Sequence, residues 1–413
     1  MAEPRGVAGR SADRFVLLYA LAWAGGTIGY VPLLTILLPA RVATLAGQSA
    51  GVDWLAYIAL AGAIAASTAG ILFGYLSDIT RNRRGWIAAG LVLSCVLLVL
   101  TGRAATLPEL IVAIVGWQLA LNMMLGPLAA WAGDVVPDSS KGLLGGLMAF
   151  APGLGALSGA IVTHPGLAGD DQRLWLVAAM VALCVLPVLL MGPPAGRPGQ
   201  AAEPVLPDPT APEPTALDPT GPLAEPAPLA SGVLRMWLAR LAVQIAEATL
   251  FAYLLFWLVS LDPAVTDNQT ARLFSAIMLV SAPLALFVGR WSDRNDRPIA
   301  PLQVCALISA LGLLAMALTT DLAGAMLAYG LFGLASAVFL ALHSAQTLRI
   351  LPRPDRRGRD LGLFNLANTV PSLVMPWLAM TLVPLFGFSA LFLLLAVLAA
   401  TAGGLLRRVA PRP

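Results

Sequence analysis

The chain has 413 residues, of which 58% are hydrophobic and only 11% are charged, and its mean hydropathy is +0.82. Because soluble domains carry about 25% charged residues, this composition excludes an ordinary soluble protein and indicates a chain whose solvent is lipid. The net charge is only +3, and it predicts no nucleic-acid surface.

Apolar segments recur along almost the whole sequence. A helix needs about 20 predominantly apolar residues to cross a hydrocarbon core ~30 Å thick. The segments are long and continuous, whereas strands of a membrane barrel would alternate over about 10 residues. We therefore expect an all-α integral membrane protein with twelve transmembrane helices. The twelve segments, numbered in chain order, are 15–40, 54–77, 86–102, 107–132, 142–163, 174–192, 233–260, 271–290, 299–319, 323–348, 361–384 and 386–406.

Basic residues are distributed unevenly among the connections between these segments. Short cytoplasmic loops carry an excess of Lys and Arg. One set of alternate connections holds most of the basic residues, and the opposite set holds only Arg41, Arg103, Arg173 and Arg272. The pattern predicts that both termini and the middle of the chain are cytoplasmic, in an inner (cell) membrane.

The composition changes abruptly between segments 6 and 7. Residues 193–228 are rich in Pro, Ala, Thr, Asp and Glu. Such a segment buries too little apolar surface to offset the entropy of ordering it, which predicts a flexible cytoplasmic linker. The predicted organisation is an N-terminal tail at 1–14, a six-helix bundle at 15–192, the linker at 193–232, a second six-helix bundle at 233–406 and a C-terminal tail at 407–413.

A short charged turn occurs twice, each time between two long apolar segments. The first copy contains Gly74, Asp78, Arg81 and Arg84, and the second contains Gly289, Asp293, Arg294 and Arg297. The two aspartates are 215 residues apart, and the same offset separates Pro137 from Pro352. The coincidence of the two offsets indicates a duplicated six-helix unit.

Six plus six helices, a long central loop and these two turns together resemble the major facilitator superfamily. The resemblance implies two pseudo-symmetric bundles that rock around a central site near the middle of the bilayer. It also implies that the eight residues of the two turns gate the cytoplasmic side and do not bind substrate. In the first copy Ile79 stands where the family most often has an arginine. Ordinary cytoplasmic loops with incidental acids are the alternative.

Segment 7 contains the carboxylate that we predict at bilayer depth. An ionisable side chain at this depth costs about 2.5–3.5 kcal/mol on insertion scales, so it indicates function by default. Arg240, Gln244 and Glu247 follow one another at i, i+4 and i+7 and share one helical face. We expect Glu247 to bind a proton or a polar substrate, Arg240 to modulate its charge, and Gln244 to contact substrate. The alternative is structural, with Arg240 extended to the cytoplasmic surface and a neutral Glu247 bonded to a neighbouring helix.

An aromatic stripe runs along segment 1. Tyr19, Trp23, Thr27 and Tyr30 lie at near-helical spacing, so three aromatic rings and a hydroxyl share one face. Aromatic faces with polar tips suit the stacking and hydrogen bonding that a sugar ring requires, which makes these residues candidate substrate contacts. Packing between helices, or an interface belt, is the alternative.

Amides occur on two further segments. Gln118 and Asn122 are one turn apart on segment 4, and Asn365 and Asn368 lie on segment 11. Amides in lipid find partners either across helices or in a solvated cavity, and we include these four among the candidate substrate-binding residues. His343 on segment 10 is better explained as a structural histidine than as a proton shuttle.

Two stretches resemble one branch of the superfamily. Residues 122–137 and 358–368 are similar to the sugar:cation symporters, in particular to the sucrose-transporter-like and glycoside-pentoside-hexuronide groups. The sodium-binding acids that this branch carries on its second helix have no counterpart, because residues 54–76 contain no carboxylate. The resemblance therefore implies protons as the coupling ion, or no coupling.

We therefore predict a proton-linked symporter of a small polar solute, with a sugar or glycoside as the preferred substrate. Two alternatives stay open: an antiporter that exports drugs or metabolites, and a non-transporting membrane sensor or assembly factor. We expect no enzyme, because the sequence shows no nucleophile, metal-ligand or phosphate-cradling constellation. The expected partners are the substrate, protons and the lipid bilayer, with no nucleic acid, cofactor or metal, and the expected state is a monomer.

Overall fold

The structure is a computed structural model that describes residues 7–136, 144, 147–148, 150–192, 231–295, 297–350, 357–407 and 409. These residues form helices, and no strand occurs among them. The helices are α1 (Val7–Pro32), α2 (Leu38–Thr80), α3 (Arg83–Thr101), α4 (Leu107–Val135), α5 (Ala151–Val162), α6 (Asp170–Met191), α7 (Ser231–Leu261), α8 (Asp267–Arg294), α9 (Ala300–Leu318), α10 (Leu322–Ile350) and α11 (Arg357–Arg407). A π-helical turn, Leu33–Leu37, joins α1 to α2. The predicted linker lies outside the described residues apart from 231–232, which begin α7, and so do Pro137 and Pro352.

The helices match the predicted segments in kind but not at every boundary. Ten helices in the described ranges are long and apolar enough to cross a membrane, and α5 is a shorter apolar helix. The first helical span runs on through the π-helical turn to Gly47, and α1 begins at Val7, inside the predicted tail. Segments 11 and 12 both lie in α11, which consists of two helices that meet at a kink at Gly387, close to the predicted boundary between residues 384 and 386. The count of twelve stays a prediction, whereas the all-α membrane fold is confirmed.

The bend in α11 supports a first prediction, that Gly387→Ala destabilises the protein. The φ of Gly387 is 72° and its ψ is −179°, a region that is populated essentially by glycine and costs a residue with a Cβ about 1–3 kcal/mol. An added methyl would meet no atom within 4 Å, so the loss reflects backbone strain alone. We expect a lower midpoint of thermal unfolding in detergent.

Gly404 provides the matched control for this variant. It lies on the same helix, has ordinary helical backbone, and also faces open space within 4 Å. Gly404→Ala should therefore leave the midpoint unchanged or raise it slightly, since alanine favours helix. Equal midpoints for the two variants would contradict the bend.

Each half of the chain contains the same kind of close contact between two of its own helices. A Cβ on Gly90 of α3 would lie 2.5 Å from the backbone nitrogen of Met124 on α4, and a Cβ on Gly312 of α9 would lie 2.7 Å from that of Phe332 on α10. Each glycine lets two helix backbones approach more closely than a side chain permits. The third and fourth helices of each half therefore meet in the same way, which supports the duplication inferred from the turns.

Large apolar side chains cover the outer surface of the helices. Ile71 on α2, Leu183 on α6 and Leu327 on α10 are 78%, 73% and 77% exposed. In water such a surface would favour aggregation, whereas in a bilayer it contacts lipid chains. The chain is therefore an integral membrane protein.

Side chains from each half complete the core of the other. Tyr253 and Phe256 of α7, with Met375 of α11, belong to the hydrophobic cluster of the N-terminal half. Val31 of α1 and Ala156 of α5 belong to a cluster of the C-terminal half. The halves are thus in direct contact along α1, α5, α7 and α11, and this contact frames a cavity between them.

Candidate functional site

A cavity of about 430 Å³ lies between the two halves. Its wall comes from α1, α2, α4 and α5 of the N-terminal half and from α7, α8 and α11 of the C-terminal half. The volume falls in the range of sites that enclose drug-sized ligands. Four of the predicted substrate or coupling residues line the cavity, and these are Tyr30, Gln118, Gln244 and Glu247.

Glu247 and Gln244 form a hydrogen-bonded pair on the cavity face of α7. The Nε2 of Gln244 donates to the Oε2 of Glu247 at 2.5 Å. The two residues are one helical turn apart, so α7 itself holds the pair in place. Arg240 lies about two turns from Glu247 and interacts with it electrostatically, but it is not part of the cavity wall. The predicted face of segment 7 thus presents an acid and an amide to the cavity.

His343 anchors Arg240 to α10. The Nε2 of His343 lies 2.9 Å from the carbonyl oxygen of Met236, and its Nδ1 lies 3.5 Å from the Nη1 of Arg240. Because a carbonyl only accepts, Nε2 carries the proton and Nδ1 is left to accept from the guanidinium. The histidine is completely buried, and its ring packs on Phe339 with the centroids 5.5 Å apart. These contacts agree with the structural role predicted for His343.

The aromatic stripe of α1 reaches the cavity only at Tyr30. Tyr19 is 2% exposed, and its ring stacks on Trp23 with 6.1 Å between the centroids. The Oγ1 of Thr27 lies 2.8 Å from the carbonyl oxygen of Ala24 and 2.7 Å from that of Ala151, so its one proton is shared between them and the second contact ties α1 to α5. Tyr19, Trp23 and Thr27 therefore pack between helices and are not part of the cavity wall, so the packing alternative describes them better.

The predicted amides divide in a similar way. Gln118 lines the cavity, whereas the Nδ2 of Asn122 donates to the backbone carbonyl of Gln118 at 2.9 Å, one turn away within α4. Asn365 and Asn368 lie on α11, where their side chains fall outside the described part of the structure. Their role stays a prediction.

Polar contacts join the halves at the end where α6 and α8 begin. The Nη1 of Arg173 on α6 lies 2.5 Å from the Oδ2 of Asp267 on α8. Next to this ion pair, the Nδ2 of Asn268 donates to the carbonyl of Ala160 at 3.0 Å and lies 3.1 Å from the Oγ1 of Thr163. We call these residues the outer latch, because the predicted orientation places this end outside the cell.

The outer latch continues into the membrane along α5 and α8. The Oγ of Ser275, which is buried, lies 2.6 Å from the carbonyl oxygen of Ala156 on α5 and 2.6 Å from that of Ala271 in its own helix. Because the hydroxyl also has a partner within its own helix, the bond to Ala156 adds a link between the halves without making the buried serine depend on it. From the sequence, Arg173 was only one of the four basic residues in the set of connections that carries few Lys and Arg.

Comparisons with known proteins agree with this architecture. A sequence model of the Major Facilitator Superfamily matches residues 236–413. The crystal structure of a bacterial homolog to the human lysosomal transporter Spinster, inward-facing and occupied, has a TM-score of 0.72 with this chain at 15% identity. The similarity covers 99% of this chain and 97% of that one. The chain has the major facilitator fold.

Other solved structures share this fold. The unoccupied inward-facing form of the same Spinster homolog has a TM-score of 0.63 at 15% identity, covering 99% of this chain and 96% of that one. The nucleoside transporter NupG, as a D323A mutant, has a TM-score of 0.70 at 12% identity, covering 96% and 100%. No curated protein matches the sequence. The fold that the resemblance implied is confirmed, whereas the sugar:cation branch stays a prediction.

The first charged turn of this major facilitator fold is organised by an arginine that we did not select. The Nη1 of Arg83 lies 2.6 Å from the Oδ1 of Asp78 and donates to the Oγ of Ser77 at 2.6 Å, while its Nε donates to the Oδ2 of Asp134 at 3.1 Å. Arg83 is buried, and its partners come from α2 and α4. These contacts lie within the N-terminal half.

The two arginines that the sequence analysis assigned to this turn, Arg81 and Arg84, lie outside the Arg83 network. Arg81 is exposed and ends α2 in a left-handed conformation with φ of 52°. Arg84 donates to the carbonyl of Gly192 and lies over the ring of Trp131, 5.4 Å from its centroid. Gly74 lies close to α4. A Cβ added to Gly126 of α4 would lie 3.3 Å from the backbone nitrogen of Gly74. Spacing alone does not tell which of several neighbouring arginines turns inward.

This network predicts unequal effects for two nearby arginines. Arg83→Ala leaves Asp134 and the buried hydroxyl of Ser77 without the guanidinium, which costs about 1–3 kcal/mol. Arg81→Ala removes an exposed side chain and should stay within about 0.5 kcal/mol. We expect Arg83→Ala to lower the midpoint of thermal unfolding in detergent and Arg81→Ala to leave it unchanged. The opposite order would show that Arg83 does not organise the turn.

The second turn has a similar buried serine. The Oγ of Ser292 donates to the carbonyl of Arg297 at 3.1 Å, and Ser292 lies 215 residues after Ser77. A Cβ on Gly289 would meet Leu342 of α10 at 3.2 Å. Arg294 and Arg297 are exposed, and the side chain of Asp293 falls outside the described residues. The gating role of both turns stays a prediction.

Proposed function

We propose that this protein is a secondary transporter that moves a small solute across the inner membrane by alternating access. The observation that carries the proposal is the cavity between the halves, with the carboxylate of Glu247 in its wall. Folds of two related halves transport by rocking around a central site, which is exposed to one side of the membrane at a time. The Spinster homolog and NupG are transporters of the same fold, which supports this proposal.

We further propose that transport is coupled to protons through Glu247. Its carboxylate lines the cavity, so protons exchange with the water that enters there. Protonation removes the charge that Gln244 and Arg240 stabilise, and thereby changes the interactions between α7 and the substrate. An acid that both lines the cavity and is electrostatically linked to its neighbours is suited to couple the two events.

The conformation described here is, in this proposal, closed on the external side. Arg173, Asp267, Asn268 and Ser275 hold the halves together at that end. The Spinster homolog with the TM-score of 0.72 is inward-facing, which supports the same assignment for this chain. The cytoplasmic position of both termini rests on the distribution of basic residues.

The resemblance to the sugar:cation symporters makes a sugar or glycoside one candidate substrate for the transport proposed here. The ring of Tyr30 and the amides of Gln118 and Gln244 line the cavity and are groups that a sugar site uses. Sugar-dependent movement of protons would support this form.

The proposal is tested with purified protein in liposomes that contain a pH-sensitive dye. Monosaccharides, disaccharides, nucleosides and organic cations are added outside in turn, with protein-free liposomes as the control. A solute that changes the internal pH only when the protein is present supports proton-coupled transport. Absence of any flux from a folded preparation, together with a co-purifying protein, would favour the sensor or assembly factor instead.

A further inference from the structure

We infer that the cavity binds an organic monocation with an apolar, partly aromatic body, such as a lipophilic quaternary ammonium or phosphonium ion. The inference rests on the proposed transport function and names its substrate class. It follows from the charge of the cavity wall, from the aromatic rings beside that charge, and from the scarcity of polar partners elsewhere in the wall.

The charge of the wall is negative. Among the described residues that line the cavity, Glu247 is the charged one. Gln244 donates to Oε2 of its carboxylate, while Arg240 lies outside the wall and contacts His343 of α10. A cation that enters the cavity therefore meets the carboxylate directly, whereas the guanidinium of Arg240 stands outside the wall. In a low-dielectric wall this difference strongly favours a cation over an anion.

Aromatic rings stand next to the carboxylate. Phe251 follows Glu247 by four residues, so both project from the same face of α7. The Phe251 ring lies 6.3 Å from that of Tyr30 on α1 and 6.0 Å from that of Phe274 on α8, measured between centroids. All three rings line the cavity. A carboxylate beside a cluster of aromatic faces is the arrangement that recognises a desolvated organic cation, since the rings attract positive charge.

The rest of the wall suits an apolar body better than a sugar. Besides Glu247, Tyr30 and Gln244, its polar side chains in the described part are Ser67, Gln118 and Ser372. The remaining lining residues are aliphatic, aromatic, methionine, glycine or proline. Every sugar hydroxyl that enters without a partner loses its bonds to water, so a ring with many hydroxyls is disfavoured. An apolar body instead gains free energy by leaving water.

The test uses tetraphenylphosphonium as the cation and triphenylphosphine oxide as an uncharged compound of similar body. Binding of the radiolabelled cation to purified protein is measured for the native chain, Glu247→Gln, Glu247→Asp and Phe251→Ala. We expect Glu247→Gln to weaken binding of the cation by at least about tenfold, and Glu247→Asp to retain most of it. Phe251→Ala should weaken it by several-fold, and the uncharged compound should not compete.

The outcomes separate this inference from the proposed function. One contrary outcome is that the protein transports a neutral solute but does not bind tetraphenylphosphonium, and another is that the Glu247→Gln variant binds the cation as tightly as the native chain. Either result overturns the inference and leaves the transport proposal standing. If the cation binds in a Glu247-dependent way but no solute is transported in liposomes, the substrate class stands and the transport proposal fails. Glu247-dependent binding together with transport of the cation supports both.

Discussion

Glu247→Gln is expected to abolish accumulation of substrate against its gradient. The amide is nearly isosteric with the carboxylate, and its oxygen still accepts the hydrogen bond that Gln244 donates. The variant therefore keeps the packing of α7 but cannot gain or lose a proton. With a pH gradient across proteoliposomes, uptake by the variant should fall to the level of protein-free liposomes.

Exchange of labelled for unlabelled substrate distinguishes lost coupling from lost folding. Exchange needs only binding and rocking, so at saturating substrate it should persist in Glu247→Gln when no gradient is applied. Glu109→Gln is the matched control, because Glu109 is exposed at the start of α4 and an amide oxygen there still accepts from the backbone of Ala105. Gradient-driven accumulation by Glu247→Gln at the native rate would show that Glu247 is not the coupling group.

The polar face of α7 was predictable because its signal is local. Arg240, Gln244 and Glu247 are polar residues in an apolar segment, and helical spacing alone puts them on one face. The structure turns the acid and the amide of that face toward the cavity. Whether such a face meets a cavity or a neighbouring helix depends on packing that one segment does not encode.

The aromatic stripe shows that limit. Tyr19 and Tyr30 lie on one side of α1, yet Tyr19 packs in the N-terminal core whereas Tyr30 meets Phe251 from the other half. The helix passes from the interior of one bundle to the surface between the two bundles along its length. Periodicity identifies the side of the helix but not the depth at which its neighbours change.

The outer latch was not predictable for a different reason. Arg173 and Asp267 are 94 residues apart in sequence, and each stands near the start of a helix, where charged residues are common. In a sequence, charges at such positions indicate the orientation of the chain in the membrane, not their partners. Their pairing follows only from the way in which α6 and α8 meet.

Asp267→Asn is expected to shift the protein toward a state that is open at the latch end. The carboxylate of Asp267 is the interdomain partner of Arg173, whereas Asp170 pairs with the same guanidinium at 3.1 Å from within α6. Removing the charge at Asp267 therefore weakens the contact between the halves and leaves Arg173 with a local partner. Loss of about 1.4 kcal/mol from the closed state corresponds to a tenfold change in its population relative to the open one.

Leu255 offers a reporter for this opening. It is buried at 4% exposure, yet it lines a second cavity, of about 380 Å³, whose wall also contains Arg173 and Asp267. Leu255→Cys is introduced after Cys95, Cys184 and Cys305 are replaced by serine, and its labelling by a membrane-impermeant maleimide is timed in sealed vesicles. Adding Asp267→Asn should speed the labelling about tenfold. Substrate transport should slow in parallel, because the external side then closes less often.

The reversed ion pair decides whether charge pairing is the cause. The double variant Arg173→Asp with Asp267→Arg exchanges the two charges across the same gap, so it should bring the labelling rate back toward that of the native latch. It should not restore it fully, because Asp170 would then face a second carboxylate, with like charge, one turn away in α6. If the double variant labels as fast as Asp267→Asn, or if Asp267→Asn labels at the native rate, the halves are held by the bonds of Asn268 and Ser275 and not by the ion pair.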